Sequence, residues 1–284
     1  MESTQAASQT AMLIASLRAL SCYEEDSRIR GNDTLAEIFL PDDKRASLRD
    51  SAVHSGIRQM IPAGLYAYVI ARTAWFDQLL LHHLEKGTRQ VVILGAGFDS
   101  RAVRFSTMLE NSNVYELDRA ATQDAKLCIY QQNHIAIPEN VHIIPVDFEQ
   151  NTWVSSLTDA GFQRKIDSLF IWEGVTFYLS PQAVSGTLSQ IAECMSDGSA
   201  LSFDYQHMEE NRDLIDSKIT EERIRFGMNH RMIYSYLRSF GLNLVEDVNS
   251  EKLTQRFLIN ESGQVFDTIQ PMMHIALTSK NRRR

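Results

Sequence analysis

Gln90-Val91-Val92-Ile93-Leu94-Gly95-Ala96-Gly97-Phe98-Asp99-Ser100-Arg101 is the stretch whose reading decides the fold. The apolar run Val91 to Leu94 reads as a strand buried on both faces. It stops at Gly95-Ala96-Gly97, where the chain turns tightly and lets a ligand come close to bare backbone. Asp99-Ser100 reads as the cap of a following helix, whose first free N–H groups face the same crevice. A second short strand ends in Glu116-Leu117-Asp118, about 20 residues beyond the turn, where a carboxylate can hold a ribose diol. Strand, glycine turn, helix and acidic strand end together describe a nucleoside-binding crevice.

The glycine turn alone is weakly specific. It has two of the three glycines of a dinucleotide fingerprint, and the third is the one that lets helix and strand pack closely beside a pyrophosphate. An acidic side chain directly after the turn, Asp99, is a poor neighbour for a pyrophosphate and suits a cationic or zwitterionic ligand better. S-adenosylmethionine has a ribose, an adenine, a sulfonium and an amino-acid tail, and no phosphate. A nicotinamide-dependent oxidoreductase shares the turn, but Asp99 and the missing glycine count against its pyrophosphate site.

Outward from this stretch, residues 1 to 86 read as helices: Thr10 to Cys22, a shorter one after Asn32-Asp33, and a long one from Gly64 to Glu85 that Gly87-Thr88 ends. Strands near 90–94, 113–118, 141–146, 167–172 and 199–204 then alternate with helices, which implies a parallel sheet with right-handed crossovers. A helical insertion over about 208–240 follows, then strands at Leu242 to Val248 and Met273 to Thr278.

With these residues in view the chain resembles the class I S-adenosylmethionine-dependent methyltransferases. Within them it is similar to the leucine carboxyl methyltransferase family and its bacterial small-molecule O-methyltransferase branch. Five stretches carry the match: Tyr66 to Thr73, Leu94 to Arg101, Tyr115 to Asp118, Val146-Asp147-Phe148, and Ile171 to Leu179. The arginine-containing helix and the Glu173-Gly174-Val175 turn are more diagnostic than the glycine loop. The resemblance implies an α/β fold: a Rossmann-like sheet, mostly parallel with an antiparallel last strand. A helical cap or lid over 1–86 precedes a cofactor domain over 87–284.

The resemblance also assigns roles. Arg72 grips the methionyl carboxylate, a use that suits a planar, permanently charged fork. Gly95, Ala96 and Gly97 bring backbone against the ligand, Asp118 holds the ribose, Asp147 and the Phe148 backbone receive the adenine, and Glu173 lies near the methionyl amine and sulfonium. On the residues alone, Arg72 can also be read as a solvated helix cation, Asp118 as a strand end, and Asp147 as a helix cap. Glu116 competes with Asp118, because strand alternation puts both on one face. Asp99 either works with Glu173 or caps its own helix.

Methyl transfer from a sulfonium is an in-line displacement that mostly needs alignment and exclusion of water. A carboxylate acceptor arrives ionised, whereas a hydroxyl needs a general base in reach. His207 and Asp204, just after the fifth strand, are the candidates for that base. Tyr66, Tyr68 and Tyr178 are candidates for the methyl channel, or else aromatic packing between cap and core. The expected activity is methylation of an oxygen on a small molecule. The alternative keeps the cofactor and drops the acceptor: a cyclase closes the methionyl amine onto its own Cγ, giving azetidine-2-carboxylate and methylthioadenosine.

Composition bounds the rest. The formal net charge of −8 argues against a nucleic-acid groove. Cys22, Cys128 and Cys194 have no metal-ligand spacing, so no metal is expected. No leader or apolar run long enough to span a bilayer is read, so the expectation is a cytoplasmic protein without a membrane partner.

Overall fold

Val91 and Ile93 pack on one face of a sheet and Val92 and Leu94 on the other, as a strand covered on both sides requires. The computed structural model describes residues 9–48, 50–150, 153–208 and 223–280. Its strands are β1 (Gln90–Leu94), β2 (Asn113–Asp118), β3 (Val141–Pro145), β4 (Ser168–Trp172), β5 (Ala200–Gln206), β6 (Leu242–Asn249) and β7 (Met273–Lys280). They lie in the order β3-β2-β1-β4-β5-β7-β6. The five from β3 to β5 pair in parallel, and β7 enters antiparallel between β5 and β6. The sheet is therefore the Rossmann-like one expected, mostly parallel with its last strand reversed.

The helices are α1 (Gln9–Ser21), α2 (Asp42–Ser47), α3 (Ser51–Met60), α4 (Leu65–Glu85), α5 (Arg101–Arg104), α6 (Ala120–Gln132), α7 (Trp153–Asp159), α8 (Pro181–Cys194), α9 (Ile233–Ser239) and α10 (Ser250–Phe257). No glycine or proline interrupts α4, which starts after the left-handed Gly64 and ends where Gly87 donates its N–H to Leu84. Leu17, Leu20, Val69 and Phe76 of α1 and α4 share one core with Val91, Ile93, Leu169 and Ile171. The N-terminal helices are thus a layer on the sheet as well as a wall of its crevice. Trp153, Leu188 and Leu237 of α7, α8 and α9 cover the opposite face. Ser180 accepts from the Ala183 N–H, and Pro181 opens the helix, so α8 begins immediately after the turn that carries Tyr178.

Several elements differ from the sequence reading. The helix behind Asp99-Ser100 is a single turn, and the Ser100 hydroxyl donates to Asp33 rather than capping it. The segment after Asn32-Asp33 is a 3-10 turn, Thr34–Phe39. α10 lies where only a connection was expected, because it is a short, largely polar helix with one fully buried side chain, Leu253. Of the insertion expected over 208–240, residues 209–222 lie outside the described residues. From 223 on it holds the 3-10 turn His230–Met232 and α9.

α6 is pinned to the sheet by polar groups. Gln123 donates to the carbonyls of Glu116 and Ile144, and Lys126 meets the Glu116 carboxylate at 2.7 Å with both side chains 2% exposed. Glu116 is thereby spent inside the fold. Breaking a buried pair from one side leaves an uncompensated charge, which costs about 3–5 kcal/mol. Lys126→Met is expected to lose that much in a urea melt, and the double variant Lys126→Met, Glu116→Gln to regain most of it.

Candidate active site

In an open parallel sheet, crossovers on either side of the point where strand order reverses leave a crevice beyond the strands' carboxyl ends. Here that point is between β1 and β4. A cavity of about 190 Å³ opens there, lined by Gly95, Ala96 and Gly97 after β1, Asp118 ending β2, Asp147 and Phe148 after β3, and Glu173 after β4. Arg72 reaches it from α4, Tyr178 from the turn before α8, and Thr10, Ala11, Ile14 and Arg18 from α1. The fold therefore brings together nine of the residues assigned a role in the sequence, and leaves out His207, Asp204, Tyr66 and Tyr68.

The turn is stitched to the end of β2. Gly95 and Ala96 N–H groups donate to the Leu117 carbonyl, and Gly97 N–H to Asp118 Oδ2 at 2.5 Å. Gly95 (φ +69°) and Gly97 (φ +45°) occupy left-handed backbone. A Cβ on Gly95 would stand 2.2 Å from Val175 Cγ2. Asp118 Oδ1 accepts from the Arg119 N–H at 2.6 Å. Burial pushes the Asp118 carboxyl up, while the two backbone donors act against it. Asp147 accepts from the Glu149 N–H and the Gln150 amide while lining the cavity, so its capping and lining positions coincide.

Below the cavity floor is a web of buried charges. Arg72 Nε donates to Glu173 Oε1 at 2.9 Å and its Nη1 to Asp204 Oδ2 at 3.1 Å. Arg101 Nη1 lies 2.8 Å from Glu173 Oε2 and 2.6 Å from Asp99 Oδ2, while its Nε meets Asp77 at 2.8 Å. Arg104 continues the web from Asp77 to Asp33, and Arg18 joins it at Asp33. Burial acts to raise the Asp99 carboxyl, but Arg101, Lys126 and Arg18 outweigh it and hold it down at about 2. Asp99 thus pairs with Arg101 and also turns the backbone, accepting from the Arg101 N–H.

Four expectations fail on geometry. Tyr68 is buried, donates to Asp204 and does not line the cavity. His207 does not line the cavity: it packs against His230 and His274, and its N–H donates to Met272, because β7 inserts beside β5 and closes over it. Asp204 is fully buried and engaged by Arg72, Tyr68 and the Gly174 N–H, which removes it from contact with an acceptor. Tyr66 donates to Glu24 beneath the Arg58 guanidinium. Six positions from Arg72 is roughly 240° around the helix, so the two cannot face the same cavity. Arg101, Asp77 and Arg18 went unread. Their only sequence signal is charge among apolar neighbours, which is equally the mark of a solvated position.

The leucine carboxyl methyltransferase family matches residues 11–192, more than half of the chain. The chain belongs to that family. A Streptomyces coelicolor relative, provisionally named an S-adenosyl-L-methionine-dependent methyltransferase, is 33% identical over 204 residues, 68% of this chain and 66% of its own length. A similarly named Bacillus subtilis relative is 26% identical over 70% of this chain and 69% of its own. The chain thus spans about two thirds of these relatives. Among solved structures, a provisional methyltransferase from Thermobifida fusca superposes with a TM-score of 0.56 at 15% identity over 94% of each chain. Magnesium protoporphyrin IX methyltransferase from Synechocystis, solved with S-adenosylhomocysteine, gives 0.50 at 13% identity over 82% of this chain and 95% of its own. These two show the fold alone.

The cofactor of this family, S-adenosylmethionine, fits the donor set. A Cβ on Gly97 would stand 3.5 Å from Ala11 and 4.0 Å from Asp118, both of which line the cavity with it. Asp99 and Glu173 line the cavity with carboxylates and Arg72 with a guanidinium, the charges of both signs that a zwitterionic tail beside a sulfonium would require. Among the described residues no group of three or more His, Cys, Asp or Glu could hold a metal ion. Among them, too, no helix is long and apolar enough to cross a membrane.

A carboxyl held below its ordinary value contributes stability that is present above that ordinary value, 3.8, and is lost as pH falls through about 2. The difference corresponds to about 2 kcal/mol. Thermal melts of the native chain should therefore steepen their loss of stability below pH 4, and Asp99→Asn should remove that portion of the acid sensitivity.

Proposed function

We propose that this methyltransferase acts on an oxygen of a small molecule, with a carboxylate as the preferred acceptor. The observation that carries this reading is the cavity's titratable lining, which among the described residues is arginines, carboxylates and Tyr178. An acceptor that arrives ionised asks none of these groups to remove a proton. A net charge of −8 favours a small acceptor over a nucleic acid. The free thiols of Cys22, Cys128 and Cys194 suit a reducing, cytoplasmic setting and no membrane partner is invoked.

When bound, S-adenosylmethionine supplies an already activated methyl group. In this reading Asp118 holds the ribose hydroxyls, and Asp147 with the Phe148 backbone receives the adenine. Arg72 takes the tail carboxylate, and Glu173 faces the ammonium. Ile14 of α1 and Tyr178 line the same cavity and would limit water beside the transferred methyl group. Arg72 arrives with two of its donors engaged by Glu173 and Asp204, so its orientation is fixed before a ligand enters.

Incubation with methyl-labelled S-adenosylmethionine and a panel of carboxylic acids and phenols tests the acceptor. Alkali releases labelled methanol from an ester and leaves an aryl ether intact, so the label reports which oxygen was methylated. Methylthioadenosine formed with no acceptor would instead support intramolecular cyclisation and overturn the proposal. Asp118→Ala is expected to weaken S-adenosylhomocysteine binding by about 10- to 100-fold in calorimetry, the loss of hydrogen bonds to a charged group. Tyr66→Phe, outside the cavity, should stay within about twofold.

A further inference from the structure

The web under the cavity has a centre that the proposed cofactor contacts do not use. Arg101 is 1% exposed, and its guanidinium meets three carboxylates from three places: Asp99 beside it, Asp77 on α4, and Glu173 after β4. Glu173 is therefore met on both oxygens: Oε1 accepts from Arg72 Nε, and Oε2 lies 2.8 Å from Arg101 Nη1 as an ion pair outside hydrogen-bond geometry. Without Arg101 its charge would face Asp99 and Asp204 with one cation left to fix it, and the carboxylate would turn away from its neighbours.

Resting on the reading of Glu173 given above, we propose that Arg101 is a positioning residue that aims the Glu173 carboxylate at the ligand's α-ammonium. Arg101 thereby sets the preference for nucleosides that carry an amino-acid tail. It touches no ligand itself. The planar fork hydrogen-bonds Asp77 through Nε and Asp99 through Nη1, which holds Nη1 beside Glu173 in a way that a lysine ammonium on a flexible stem cannot reproduce. Asp77, gripped on both oxygens by Arg104, is the outer anchor that keeps the fork in place.

The test compares two ligands by calorimetry. S-adenosylhomocysteine carries the amino-acid tail, and methylthioadenosine has the same adenosine and thioether without it. Arg101→Lys is expected to weaken S-adenosylhomocysteine by about 10-fold and Arg101→Met by about 100-fold, with methylthioadenosine within about twofold in both, as loss of a charge-assisted contact implies. Equal losses for the two ligands would mean a structural role only, and no loss for either would mean no role; both overturn the proposal. Should the Arg101 variants fail to fold, Asp77→Asn loosens the anchor and is expected to shift the same ratio in the same direction, while an unchanged ratio refutes the idea. Failure of the native chain to bind S-adenosylhomocysteine would instead remove the cofactor reading, a separate result.

Discussion

Five carboxylates and four arginines joined contiguously under one cavity are the constraint on which this structure depends. Asp204, Glu173, Asp99, Asp77 and Asp33 alternate with Arg72, Arg101, Arg104 and Arg18 from β5 across to α1. Each ion taken from water costs several kcal/mol, and that cost is offset only when geometry and additional hydrogen bonds are good. The web is therefore cooperative: removing one member leaves another uncompensated. Its formal excess of one negative charge suits a ligand that brings a positive one.

The same web links the cavity's parts. α1 lines the crevice with Thr10, Ala11 and Ile14, and its Arg18 is fixed by Asp33 and by the Phe98 carbonyl at 2.6 Å. α4 contributes both Arg72 and Asp77. The two helices that cover the sheet are thus tied electrostatically to the strand ends that line the cavity, and the core they share with β1 and β4 makes that tie rigid. A cofactor carboxylate and ammonium entering this site would replace water next to oriented charges, with little left to rearrange.

β1 and β4 were legible as short apolar runs buried on both faces, and β1 and β2 fall on the residues expected. Gly95, Gly97 and Asp118 were legible because a turn, a bare backbone and a strand-end carboxylate are local requirements. Less was visible where the deciding partner is remote in sequence. His207 reads as an edge histidine until β7, some 65 residues later, closes over it. Glu116 and Asp118 share a face, and only Lys126 on α6 separates the buried pair from the open one.

The sequence by itself determined the order of strands and helices, the glycine turn, and the acidic ends that mark the crevice, because each depends on neighbours within a few residues. Which charges face the ligand and which hold one another was decided by tertiary structure. Arg72 and Arg101 lie 29 positions apart, and whether a guanidinium meets water, a ligand or Glu173 depends on packing that no local pattern encodes. Burial sets that choice: once water is excluded, a charge must take whatever opposite charge the fold brings within reach.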